Sequence, residues 1–136
     1  MAFTNHNILL PDGTQTYPSL GWLTKDSPWT QAFFRVLRII WPNGCGGRSI
    51  VDLGCLEGGY TVEFARAGME ATGIEVRQNN LDNCLAVARA LGLPNLHFAR
   101  DDVWNLPIYG QFDATLCCGL LYHLDRPREF LQMVGK

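Results

Sequence analysis

Ser49-Ile50-Val51-Asp52-Leu53-Gly54-Cys55-Leu56-Glu57-Gly58-Gly59 is the stretch whose reading decides the fold. Its first five residues form a short β-prone run, and the glycines after it let the backbone turn and pass close to a ligand. Tyr60 to Ala67 then reads as a helix closed by Gly68, and Glu70 to Ile74 as a second strand with the acidic Glu75 at its end. Strand, glycine loop, helix and strand make one βαβ unit.

The same alternation continues downstream. Asn79 to Leu91 sets Leu81, Cys84, Leu85, Ala88 and Leu91 on one helical face, Gly92-Leu93-Pro94 ends it, and Leu96 to Arg100 is a third strand. Phe112 to Cys117 follows as a fourth, and Asp125 with Pro127 opens a last helix containing Phe130, Leu131 and Val134. Strands alternating with helices imply an α/β fold, a Rossmann-like doubly wound and mostly parallel sheet. Ligands of such sheets bind outside the carboxyl ends of the strands, here Gly54 to Gly59, Glu75-Val76, Asp101 to Val103 and Cys117 to Gly119.

Upstream, residues 1–47 read as an N-terminal extension, a lid or cap of loop and amphipathic helix, on a core of residues 48–136. Pro11-Asp12-Gly13 suggests a short hairpin. Ser27 offers an N-cap with Pro28 at the first helical position. Trp29, Ala32, Phe33, Val36, Leu37 and Ile40 follow at helical spacing, with Trp29 and Phe33 assigned to packing.

The 136 residues, 47% apolar, suffice for one compact domain, and 11 basic against 13 acidic residues give no positive excess for nucleic acid or anionic membranes. No apolar run approaches the roughly 18 residues a membrane span needs. The odd cysteine count, Cys45, Cys55, Cys84, Cys117 and Cys118, without Cys-x-x-Cys spacing, points to small buried side chains, no metal and a reducing cytoplasm.

A helix N-terminus after a glycine loop presents free N–H groups and a positive dipole end, suited to a nucleotide or a carboxylate. A dinucleotide fingerprint starting at Gly54 requires glycine where Leu56 stands, although Gly59 fits. Glu75 comes 21 residues after Gly54, matching the spacing at which a carboxylate at the end of the second strand takes ribose hydroxyls.

Val51 to Gly59 resembles motif I of the class I S-adenosylmethionine-dependent methyltransferases. The likeness extends in order through Glu75, Asp102-Val103-Trp104-Asn105-Leu106-Pro107, Phe112-Asp113-Ala114-Thr115-Leu116 and Leu121-Tyr122-His123-Leu124. The resemblance implies S-adenosylmethionine as cofactor and a small-molecule methyl acceptor. Gly54, Cys55, Glu57 and Gly58 would border the methionine end and Asp52 would brace the loop. Glu75 would take the ribose diol and Asp102 the adenine amino group. Val76 and Val103 would sandwich adenine, and Cys118 and Gly119 would line the wall near sulfur. Tyr122 and His123 would face the acceptor, with the imidazole suited to accepting its proton.

The family's sheet normally carries more strands, so the chain reads as truncated after the fourth strand and helix, leaving an edge at strand four through which a homodimer would form. Two other readings share parts of this pattern: a non-catalytic methyltransferase-like interaction module, and an NAD-dependent Rossmann oxidoreductase.

Overall fold

The computed structural model describes residues 2–136. Four strands, β1 (Ser49–Leu53), β2 (Glu70–Glu75), β3 (Leu96–Arg100) and β4 (Ala114–Leu116), form one sheet in the order β3-β2-β1-β4. All three pairings are parallel, with Asp52 opposite Gly73 on one side of β1 and opposite Leu116 on the other. The chain thus winds outward from β1 to β3 and then returns to β1's free side. That reversal opens a crevice at the carboxyl ends of β1 and β4, where sheets of this kind bind ligands.

Helices α1 (Pro28–Ile40), α2 (Gly59–Arg66), α3 (Gln78–Leu91) and α4 (Pro127–Val134) complete the fold. Alternate strand residues divide the core in two. Ile50, Ala71 and Leu96 join Val62, Phe64 and Val87 of α2 and α3. Val51, Leu53 and Ile74 join Val103, Leu106 and Phe130 of α4. Both faces of the sheet are covered, as parallel sheets require.

The Asp12-Gly13 turn is present: Leu9 and Gln15 form an antiparallel bridge, and the Asp12 carboxylate accepts from the Thr14 N–H and hydroxyl. Ser27 caps α1, its Oγ accepting from the Thr30 N–H at 3.2 Å. The buried face of α1, however, is one residue out of step with the apolar spacing. Thr30 and Leu37 are buried and Phe33 packs edge-on against Tyr60, while Trp29 is 62% exposed. Trp29 is therefore not a core residue. Thr30 can occupy the inner position because its hydroxyl donates to the Thr24 carbonyl at 2.6 Å, leaving no orphaned polar group.

Three further expectations are corrected. Strand β4 covers only Ala114–Leu116, because Asp113 leaves the ladder to clamp β1: its carboxylate accepts from the Ser49 N–H at 2.8 Å, and its own N–H donates to Ser49 Oγ at 2.9 Å. Arg126, not Asp125, precedes α4, which has no side-chain cap. Cys118 is exposed, whereas Cys55 and Cys84 are buried. Among the described residues, no helix is long and apolar enough to cross a membrane.

Candidate functional site

At the end of β1 the backbone enters the left-handed region at Gly54 (φ 68°), Leu56 (φ 53°) and Gly58 (φ 81°). Leu56 holds there although a side chain resists that conformation by about 1–2 kcal/mol. Its N–H is drawn to Glu75 Oε2 at 3.0 Å. The position where a dinucleotide fingerprint has glycine is therefore one where left-handed backbone is used, and a carboxylate across the sheet holds it.

Glu75 is 4% exposed and also accepts from the Arg77 N–H through Oε1 at 2.9 Å. Two backbone donors fix its carboxylate at the carboxyl end of β2. It borders a cavity of about 490 Å³ that Gly54, Val76, Asp102, Val103, Cys118, Gly119, Tyr122 and His123 also line. Asp102 uses Oδ1 to cap the 3₁₀ segment Val103–Tyr109, accepting from the Trp104 N–H at 2.9 Å. Tyr122 and His123 stand at the open side, their rings 4.1 Å apart. A larger hollow of about 730 Å³ lies between the start of β4 and the end of α4. It is away from the strands' carboxyl ends, and the smaller cavity at the topological switch is the candidate site.

Four of the expected cofactor residues do not line it. Glu57, 1% exposed, is turned into the protein: its carboxylate accepts from the backbone N–H groups of Thr4 (2.8 Å), Asn5 (2.7 Å) and His6 (2.8 Å) and from the Asn83 amide. It pins the N-terminal segment to the start of α2. Cys55 is buried with its Sγ 4.0 Å from that of Cys84, and its hydrogen bond with that neighbour, together with burial, pushes its thiol well up from its ordinary range. Gly58 is needed for packing, since a Cβ there would lie 2.7 Å from the Phe98 ring. Asp52 lies beneath the loop, accepting from the Thr61 hydroxyl at 2.7 Å, and desolvation raises its carboxyl to about 7.

The cavity also has walls that sequence reasoning missed: His6, Leu56, Tyr60, Arg77, Leu120 and Leu124. Tyr60 carried a usable signal, directly following the glycine loop. His6, more than forty residues upstream of that loop, carried none.

Residues 50–135 match the family described as Methyltransferase domain. A crystal structure of the N-terminal domain of EvdMO1 with SAH bound is 34% identical with a TM-score of 0.65, covering 79% of this chain and 44% of that one. The [4+2]-cyclase SpnF is 26% identical with a TM-score of 0.59, covering 80% and 42%. Among curated relatives, a ubiquinone biosynthesis O-methyltransferase of Rickettsia bellii is 25% identical, over 65% of this chain and 37% of its own length. A tRNA U34 carboxymethyltransferase of Idiomarina loihiensis is 30% identical, over 65% and 28%. The chain spans less than half the length of each of these relatives. The fold, the switch-point cavity and the matched residues together show that this chain belongs to the methyltransferase domain family, in its class I Rossmann-like form.

Proposed function

We propose that the chain binds S-adenosylmethionine at the switch-point cavity and transfers its methyl group to a small-molecule acceptor. The observation that carries this reading is Glu75: a buried carboxylate held by two backbone amides at the end of β2, the position from which an acidic side chain takes a ribose diol. Asp102 supplies a second carboxylate one strand further on, and Val76 and Val103 offer apolar faces for a base between them. Gly54, Cys118 and Gly119 leave space for the methionine end.

Held by Glu75, Asp102, Val76 and Val103, the cofactor would supply an electrophilic methyl carbon, its sulfur keeping the electron pair as the methyl passed to the acceptor and the acceptor's proton passed to a base. The chain's own task is orientation and exclusion of water, which can supply several kcal/mol without a protein nucleophile. His123 at the open side takes the proton, and Tyr122 lies against it, tilted by 40°, to set the ring. Residues 1–47 act as a cap at the transfer end, tied down through Glu57. The unpaired side of β4 within this sheet serves a second copy of the chain, and five unpaired cysteines suit the cytoplasm.

Calorimetric titration with S-adenosylhomocysteine and, separately, NAD tests the reading. Saturable binding of the first and none of the second is expected. Equal or tighter binding of NAD overturns it.

A further inference from the structure

Beside the switch-point cavity lies a second one of about 240 Å³, and His6, Leu56 and Tyr60 form the wall between them. Its other side carries two indoles, Trp22 and Trp29, that are 56% and 62% exposed. Large rings left open to water at the rim of a cleft gain most from a flat apolar partner, through both area and ring geometry.

His6 is built differently, being 5% exposed and fixed at every other polar atom. Its N–H donates to Glu57, its carbonyl accepts from the Thr16 hydroxyl at 2.9 Å, and its Nδ1 accepts from the Gly59 N–H at 2.8 Å. Gly59 permits that approach, because a Cβ there would lie 2.8 Å from the imidazole Cγ. A ring whose Nδ1 accepts carries its proton on Nε2. Nε2 has no hydrogen-bond partner among the described residues, yet no fully enclosed polar side-chain atom is left unpaired among them. The Nε2–H is therefore not fully enclosed, on a residue that borders both cavities. Burial lowers the imidazole to about 4, so at neutral pH the ring is a donor and not a proton acceptor.

We propose that the second cavity is the acceptor site and takes a small planar aromatic molecule bearing a hydrogen-bond-accepting oxygen. Its ring lies against Trp22 and Trp29, and its oxygen receives the His6 Nε2–H. This rests on the methyl-transfer reading and deepens it. The shared wall brings the acceptor to the cofactor, and His6 orients the oxygen without competing for its proton.

The probe is 2-naphthol, added to 5-fluorotryptophan-labelled protein saturated with S-adenosylhomocysteine and followed by fluorine NMR. The four tryptophan resonances are assigned with single Trp→Phe variants. Saturable shifts are expected at Trp22 and Trp29 but not at Trp41 or Trp104. Trp29→Ala, a change at an exposed side chain, should weaken naphthol at least fivefold and leave S-adenosylhomocysteine affinity within twofold. His6→Gln should weaken naphthol similarly. Absence of binding, shifts at Trp41 or Trp104 instead, unchanged affinity in Trp29→Ala, or displacement of naphthol by S-adenosylhomocysteine overturns the proposal. Failure of S-adenosylhomocysteine to bind sinks the methyl-transfer reading instead, and the naphthol titration without it still decides whether the cleft takes an aromatic ring.

Discussion

The Thr61 hydroxyl lies 2.7 Å from Oδ2 of Asp52, tying helix α2 to the carboxyl end of strand β1 in a place that water does not reach. Burial raises the Asp52 carboxyl to about 7, with the charge of Glu75 acting in the same direction and the Thr61 bond opposing. Between about pH 4 and 7 the folded chain holds a proton that the unfolded chain has released, so Asp52's contribution to stability falls as pH rises through that window and levels off above it. Asp52→Asn removes that dependence and keeps an acceptor for Thr61. In urea unfolding at pH 4.5 and 7.5, the stability of the wild type relative to the variant should drop by roughly 2–4 kcal/mol at the higher pH. A constant difference would refute the buried, protonated Asp52.

His6 has the opposite sign. Desolvation lowers it to about 4, against Glu57's opposing charge, so between about pH 4 and 6.5 the unfolded chain binds a proton that the folded chain excludes. Its contribution rises with pH across that window and is lost as pH falls through it. His6→Gln, which can still accept from the Gly59 N–H, should flatten this part of the profile. Relative to wild type, the His6 and Asp52 variants should bend in opposite directions, as thermal melts from pH 4 to 7 would show.

Glu57→Ala leaves the N–H groups of Thr4, Asn5 and His6 without their acceptor. A loss of about 2–4 kcal/mol is expected from charge-assisted bonds to buried donors. Limited proteolysis should show faster cleavage within residues 2–10, and unchanged protection there would remove Glu57 from this role.

The elements and the switch-point site were legible because they rest on local pattern. The Ser49 to Gly59 run, the acidic Glu75 at a strand end and Asp102-Val103 each lie within a few residues of the strand that positions them. What was not legible lies far apart in sequence. Glu57 reads as part of a binding loop until its partners Thr4, Asn5 and His6, 51 to 53 residues away, are seen. Leu56 in a left-handed conformation contradicts its residue preference, and the bond that its N–H donates to Glu75 holds it there. Apolar spacing assigns Trp29 to packing because it cannot register that Thr30 has a buried acceptor for its hydroxyl.

Glu75→Ala removes both the proposed ribose contacts and the support of the Leu56 and Arg77 amides. S-adenosylhomocysteine binding should weaken by about 1–3 kcal/mol in free energy, read by calorimetry. Glu75→Gln, which keeps one acceptor oxygen, should lose less. Unchanged affinity in a folded Glu75→Ala would return the residue to a purely structural part.

The clamp between Ser49 and Asp113 closes a sequence separation of 64 residues, so it bears on the time course of folding. Strands β1 and β2 meet across a single helix, whereas β4 finds β1 only after the intervening chain has been ordered, and entropy makes such closures slow. Bonds that form after the rate-limiting step govern escape from the native state more than entry into it. Ser49→Ala should therefore raise the unfolding rate several-fold while changing the refolding rate little, making a two-residue clasp at the sheet's margin a determinant of how long the folded molecule lasts.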